Sequence, residues 1–595
     1  MRNTFGLVLL SWVLQGFTCT APSNASSSAE SLKIFSITLN GSSATISGNG
    51  KGASVSGGEI TISSPGTYRL SGVLHKGRVV VNSADKEQPV VLILNGAEIN
   101  NPEGAPIYIR RAAKVVVELA EGTENRLTDG LTYQYDDPVD EEPNAALFSK
   151  VPLLFRGKGS LTVDARFNDG ISGKDGVEID GAKMVVKAAD DALRGKDFVH
   201  IKGGDLSLIS GGDGIKSDKG SDPELGYIQV DGGTIEICSE GDALSAKRAV
   251  TISDGLFRLT SGGGATQNLP DSLSAKAIKG SEQVTISGGN FRIDAADDAL
   301  HSDFQIDISG GIFSVASADD ALKADSCVTL SGGTLDITAA YEGIESGRIL
   351  ISGGRVTVVS TDDGINASRK GPREQNDGSL FAMNGGFLSV EAIRGDALDS
   401  NGDISISGGT VIAQGPSDGP EVGMDFNGAC SITGGTFIMA GGSSFMTQIP
   451  GEESTQPSVS VKFPSILQAG SLVNLADSLG KPLVTFSPSR NFQSFIFSSP
   501  ELIQGAHYTL YTGGTHSGES TNGVYEAGTY SSGALYQEIA LSAMVTTLGD
   551  FASGRGFGPP PDGFGPPPGG FGPPPGGFGD RPEFGPPTGK RGNKQ

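Results

Sequence analysis

Nine carboxylates recur along the middle of this chain, each followed by a small residue and then Ile or Leu: Asp169, Asp191, Asp213, Asp242, Asp298, Asp320, Glu342, Asp363 and Asp396. Lys276, in KAIKG, takes the same place once. Asp190, Asp297, Asp319 and Asp362 precede the column by one residue, and Asp218, Asp303 and Asp325 follow it five residues later. If successive copies stack at the ~4.8 Å spacing of a β-ladder, these charges repel and raise one another's pKa. A cation between them removes that penalty. Calcium, with Ca–O distances of about 2.3–2.6 Å, bridges oxygens at such a spacing, and oxygen ligands without clustered His or Cys favour it over zinc. Calcium is therefore the expected cofactor, held by a subset of copies. The competing structural reading, an Asx-turn at each corner, fits the Asp-Gly copies better than DDAL, where Ala replaces Gly and a second acid is added.

Three residues after the acid the side chain varies: Arg194, Lys216, Lys279, His301, Lys323 and Asp399. Arg194, Lys216, His301 and Lys323 are candidate carbohydrate contacts, since such cations grip a uronate carboxylate. Lys216 and Lys323 are also the candidate bases should the protein abstract a sugar proton. The favoured role for this column, residue by residue, is plainer: it screens the acids as solvated ion pairs.

A strand–Gly-Gly–strand unit positions these residues. It reads IKGGDLSLIS at Ile201, VTISGGNFRI at Val284, IDISGGIFSV at Ile306, VTLSGGTLDI at Val328 and ISISGGTVIA at Ile404, with weaker copies such as VEIDGAKMVV at Val177. Each half alternates apolar and polar residues, and the glycines mark a bend. A period of about 22 residues holding two or three short strands is the signature of stacked repeats, and parallel connections are right-handed. The expected fold is an all-β, right-handed parallel β-helix, a solenoid of ~22-residue coils, followed by a β-rich C-terminal segment and a disordered tail. Its divisions are a signal peptide (1–19), a polar linker (20–31), irregular N-terminal coils (32–150), regular coils carrying the acids (151–450), the β-rich segment (451–550) and a Gly/Phe/Pro-rich tail (551–595) read as a spacer.

Of the 595 residues, 89 are Gly and the formal net charge is −24, which excludes a helical bundle and a basic nucleic-acid binder. Arg2 and the apolar run from Phe5 to Leu14 form a short export signal. Cys19, directly after it, is a candidate for lipidation, which would tie the chain to the cell envelope; ordinary cleavage near Ala25 is the open alternative. The protein is expected outside the cytoplasm, secreted or at the cell surface, and monomeric. Cys238, Cys327 and Cys430 are an odd number, too far apart in the repeat to bridge, and are expected to be buried small hydrophobes.

The combination of VVLILNGAEI at Val90, APIYIRRAAKVVVELAEGTENRLTDG at Ala105, DDPVDEEPNAALFSK at Asp136, the DDALRGKD and GDGIKSD copies and ITGGTFIMAGGSSFM at Ile432 resembles one family. This is the bacterial carbohydrate-binding domain-containing proteins, calcium-bound β-helices of the clostridial cellulose- and polygalacturonate-binding type with a lyase-like architecture. The likeness covers roughly residues 32–548. It implies an extracellular protein that holds calcium on the acids of the repeat and binds plant-type polysaccharide. Two departures stand out. Trp12, inside the export signal, is the single Trp, so no Trp platform for crystalline cellulose is available. The negative charge also repels polygalacturonate unless calcium bridges the two. Three functions follow in order: a non-catalytic calcium-dependent polysaccharide-binding protein, a pectate-type lyase acting by calcium-assisted β-elimination, and a structural surface adhesin.

Overall fold

The computed structural model describes residues 34–551, apart from 48–51, 136–138, 140, 271, 370–374, 445 and 532. The expected signal peptide with Cys19, the polar linker and all but the first residue of the tail lie outside the described residues. All regular structure among those described is β-strand, and no helix there is long and apolar enough to cross a membrane.

Strands pair in parallel with their counterparts in the next copy of the unit, as in Leu300 with Leu322 and Ile306 with Val328. Alternation drives this arrangement. Gln305–Ile308 and Ile312–Ser317 each turn every second residue inward, and the inward residues (Ile306, Ile308, Phe313 and Val315) are almost fully buried. Between the two strands, Gly311 has φ +99, and a Cβ there would lie 2.9 Å from the Phe313 ring. Glycine is the residue that tolerates both demands. The core column Phe257, Phe291 and Phe313 stacks ring on ring, with centroids 4.6 and 4.4 Å apart and interplanar angles of 7° and 3°.

The open right-handed β-helix expected from the sequence is corrected by the pairing of the large sheet. Fourteen strands of that sheet form a closed parallel β-barrel. From Phe198–Ser210 the ring passes through Tyr227–Val230, Ala249–Ile252, Gln283–Ile286, Gln305–Ile308, Cys327–Leu330 and Arg348–Ile351 to Leu380–Ala392. It returns through Arg355–Ser360, Thr334–Ala339, Ile312–Ser317, Asn290–Ala295, Leu256–Ser261 and Thr234–Ser239. The physical reason lies in the two long members. A glycine pair was expected to separate two strands everywhere, yet Phe198–Ser210 and Leu380–Ala392 run through Gly203-Gly204 and Gly385-Gly386 unbroken. Each joins the two ladders at one end, and the sheet closes.

A second sheet of 16 strands carries the acidic motif. Its members here are three residues long: Leu193–Gly195, Ile215–Ser217, Leu244–Ala246, Ile278–Gly280, Leu300–Ser302, Leu322–Ala324, Ile344–Ser346, Ile365–Ala367 and Leu398–Ser400. In each the outer two residues are buried and the middle one is half-buried.

Strand direction reverses at both ends. Ile34–Gly41 pairs antiparallel with Ala44–Ser47, and Ala53–Ser56 with Glu59–Ile62. Toward the C-terminus, Phe492–Ser498 lies antiparallel to both Cys430–Gly441 and Ser458–Leu467 over a separate core that includes Val459, Phe495 and Phe497. The expectation for the cysteines holds for one of three. Cys430 is buried, but Cys327 is half-buried and Cys238 exposed, because Cys238 and Cys327 fall on outward positions of their strands.

Candidate functional site

The acids of the column sit two residues before the three-residue strands, where backbone bonds tie consecutive copies together. The Ala299 and Ala321 amides, for example, donate to the carbonyls of Asp320 and Glu342. The carboxylates extend this ladder. Oδ1 of Asp191 accepts the Asp213 amide at 2.9 Å, Asp213 that of Asp242 at 2.9 Å, Asp242 that of Lys276 at 2.9 Å, Asp298 that of Asp320 at 3.2 Å and Asp363 that of Asp396 at 2.7 Å. One oxygen of each therefore does structural work between copies, which the sequence reading did not anticipate.

The other oxygen faces a cation in most copies. Lys216 Nζ lies 3.2 Å from Asp191 Oδ2 and 3.0 Å from Asp213 Oδ2, and Lys279 lies 3.4 Å from Asp242 Oδ2. Lys276 reaches Asp297 at 2.6 Å and Asp298 at 2.9 Å, and Asp298 also meets His301 at 2.7 Å. Lys323 bridges Asp320 and Glu345 at 2.6 and 2.5 Å, and Arg194 bridges Asp169 and Asp218 at 3.8 and 2.5 Å. His301 Nε2 lies 3.2 Å from the exposed Asp303. Lys276, the break in the column, thus fills its place with an internal ammonium.

The screening role is therefore realised for Arg194, Lys216 and Lys323, while the His301 ring lies within hydrogen-bond distance of Asp298 and Asp303. Burial works against the charge on Lys216 and Lys323, but Asp213 and Asp191 on one and Asp320 and Glu345 on the other hold both above the ordinary lysine value. A general base needs the opposite shift; both ammonium groups are instead engaged in ion pairs.

Toward the C-terminal end the pattern changes. Asp363, Asp396 and Asp399 make no ion pair with any described residue. Asp396 accepts the Val422 amide, and Asp425 accepts from Gln448 Nε2 at 2.7 Å. Burial, with the charges of Asp362, Glu421 and Asp425, pushes Asp363 up to about 7 even though it accepts an amide. Burial and the surrounding carboxylates raise Asp396 and Asp399 well above the usual range.

Four groups of acids bring one oxygen from each member within 4.8 Å of the others: Asp169, Asp190 and Asp191; Asp297, Asp298 and Asp319; Asp320, Glu342 and Glu345; and Asp396, Asp399 and Asp425. Asp213, Asp218, Asp242, Asp303, Asp325, Asp362 and Asp363 fall outside these groups. Glu345 and Asp425 were missed as ligand candidates, and Asp399 was noted only as a variant of the cation column. The signal for Glu345 and Asp399 was present: both stand where other copies place Lys, Arg or His, as the pairings of Lys323 with Glu345 and Asn366 with Asp399 show. Three carboxylates so close, with no counter-cation on Asp396 or Asp399 among the described residues, form a donor set suited to a hard divalent cation.

A family model for carbohydrate-binding domain-containing proteins matches residues 56–321 and 320–451. This chain belongs to that family. A carbohydrate-binding domain-containing protein of Acetivibrio thermocellus is 44% identical over 140 residues, which are 24% of this chain and 49% of the relative. The chain thus spans about half the length of the curated relative it matches. A solved structure of the polysaccharide lyase-like protein from C. thermocellum, a gadolinium derivative, is similar at 38% identity and a TM-score of 0.38, over 39% of this chain and 92% of that one.

Proposed function

We propose that this is an exported, calcium-dependent polysaccharide-binding protein without catalytic activity, with an acidic, pectin-like glycan as its ligand. Family membership supports the carbohydrate, and the apolar run from Phe5 to Leu14 supports export, with Cys19 the residue that would carry a lipid anchor. The observation that carries the calcium is the contrast along the acid column. Where Lys or Arg enters, the protein supplies its own counter-charge, and at Asp396 and Asp399 no described residue supplies one. Calcium there would also offset the repulsion between the protein and a uronate polymer.

Co-sedimentation with polygalacturonate, in calcium and in chelator, tests the function directly. Retention in calcium alone is expected, together with a flat ultraviolet trace. Growth of an unsaturated-uronide absorbance in calcium would make the protein a lyase instead, and equal retention in chelator would remove calcium from the binding.

The Asp399→Asn variant tests the metal. Calcium at a hundredfold excess over its Kd stabilises the folded state by about 2.7 kcal/mol, and the variant is expected to lose most of that gain. In chelator it should melt above the wild type, because one repelling charge is gone. The same acids fix the sign of a pH effect. Asp363 keeps its proton up to about 7 when folded, so the folded state binds more protons than the unfolded one above the ordinary carboxylate range. Stability in chelator therefore falls as pH rises from that range toward 7, and calcium flattens the decline. An unchanged calcium response in Asp399→Asn would place the metal elsewhere.

A further inference from the structure

Beside the unpaired end of the acid column lies a cavity of about 570 Å³ lined by Tyr341, Thr361, Asp362, Ile393 and Arg394. Tyr341 is distinctive in position. It directly precedes Glu342, the place where neighbouring copies carry Asp297, Asp319 and Asp362, so an aromatic ring replaces an acid at one level. Its backbone is fixed between copies: its amide donates to Asp319 O at 2.9 Å and its carbonyl accepts the Asp362 amide at 2.8 Å. The phenol hydroxyl hydrogen-bonds to the Asp362 carboxylate. The ring is thus held in place yet 47% exposed, beside the exposed Ile393.

Arg394 completes the cavity. The cations set among the acids (Arg194, Lys216, Lys276, Lys279 and Lys323) are each engaged in an ion pair. Arg394 is exposed and makes no ion pair or hydrogen bond with a described residue. In a chain of net charge −24, such a guanidinium is available to an incoming anion, and its planar fork matches a carboxylate.

We infer that the Tyr341–Asp362–Arg394 cavity is a subsite for one uronic-acid residue of a polysaccharide. The Arg394 guanidinium takes the sugar carboxylate, the Tyr341 ring packs on the C–H face, and Asp362 accepts from a ring hydroxyl. The site rests on the polysaccharide-binding function proposed above and adds to it the residues that distinguish an acidic sugar from its neutral ester. Preorganisation by the backbone ladder and the Tyr341–Asp362 bond lowers the cost of ordering the site.

Calorimetric titration of the full chain in calcium, with hexagalacturonate and with its methyl-esterified counterpart, tests the subsite. Arg394→Gln is expected to weaken hexagalacturonate roughly tenfold or more, the scale of one lost charge-assisted hydrogen bond, and to leave the ester unchanged. Tyr341→Ala is expected to weaken both ligands. Both side chains are exposed, so both variants should melt with the wild type. Equal wild-type affinity for acid and ester, or wild-type affinity of Arg394→Gln for the acid, overturns the subsite while leaving polysaccharide binding in place. A wild-type protein that binds neither oligomer and is not retained on polygalacturonate overturns both.

Discussion

Phe291→Ala is expected to cost the barrel about 3–5 kcal/mol, the upper range for deleting a buried aromatic ring. Phe291 is 1% exposed and lies between Phe257 and Phe313, with ring centroids 4.6 and 4.4 Å away. Both neighbours are pinned by their own backbone pairing, Phe257 with Phe291 and Phe291 with Phe313. Neither ring can drop into the vacated layer without breaking ladder bonds, so the cavity stays open and its cost is not relieved. Denaturant unfolding of the variant and of Phe304→Ala, at a 57% exposed position, gives the comparison. The exposed change should stay within about 0.5 kcal/mol of wild type. A loss below about 1 kcal/mol for Phe291→Ala would show a core far more plastic than close packing allows.

Lys276→Met should be comparably damaging. Only 13% of the Lys276 side chain is exposed, and its ammonium is the counter-charge for Asp297 and the nearly inaccessible Asp298. Removing one partner from a buried ion pair costs about 3–5 kcal/mol, mostly because the remaining charge is stranded. Unfolding in chelator measures that cost. Calcium should recover part of it in the variant, since Asp297, Asp298 and Asp319 already converge, while adding less at this level of the wild type. The pH dependence follows from the two shifts. Although burial pushes Asp298 up, the His301 hydrogen bond and the Lys276 charge hold it below its ordinary value. Against burial, Asp298 and Asp297 hold Lys276 above its ordinary value. The pair therefore stabilises fully at neutral pH. Its contribution is lost as pH falls below the carboxylate range, or rises above the lysine range. A variant that loses under about 1 kcal/mol would show that Asp297 and Asp298 need no counter-charge.

The strands and the acid column were legible because both repeat on one period. Alternation marked the strands, whose inward residues include Ile306, Ile308, Phe313 and Val315, and the acids recur at one place in the unit. Sheet closure was hidden, because it depends on whether a glycine pair interrupts pairing, and Gly203-Gly204 looks like every other pair. The division of labour on each carboxylate was also hidden. An Asp that caps the next amide with Oδ1 and an Asp that only meets a cation are the same letter. The cation column proved more informative than its expected role suggested. Asp399 stands where other copies place Lys, Arg or His, and there no described residue supplies an ion pair.

Parallel pairing at a constant offset has no internal reason to end, and an edge left open would accept another molecule in the same register. The reversals of direction supply the stop. The hairpin Ala53–Ser56 with Glu59–Ile62 begins the second sheet, and at the far side Phe492–Ser498 crosses Cys430–Gly441 antiparallel while the Gly451 amide caps the Cys430 carbonyl. A copy approaching in parallel register finds that edge occupied by a strand running the other way. In the large sheet, the parallel pairing of successive copies therefore does not continue past Cys430–Gly441.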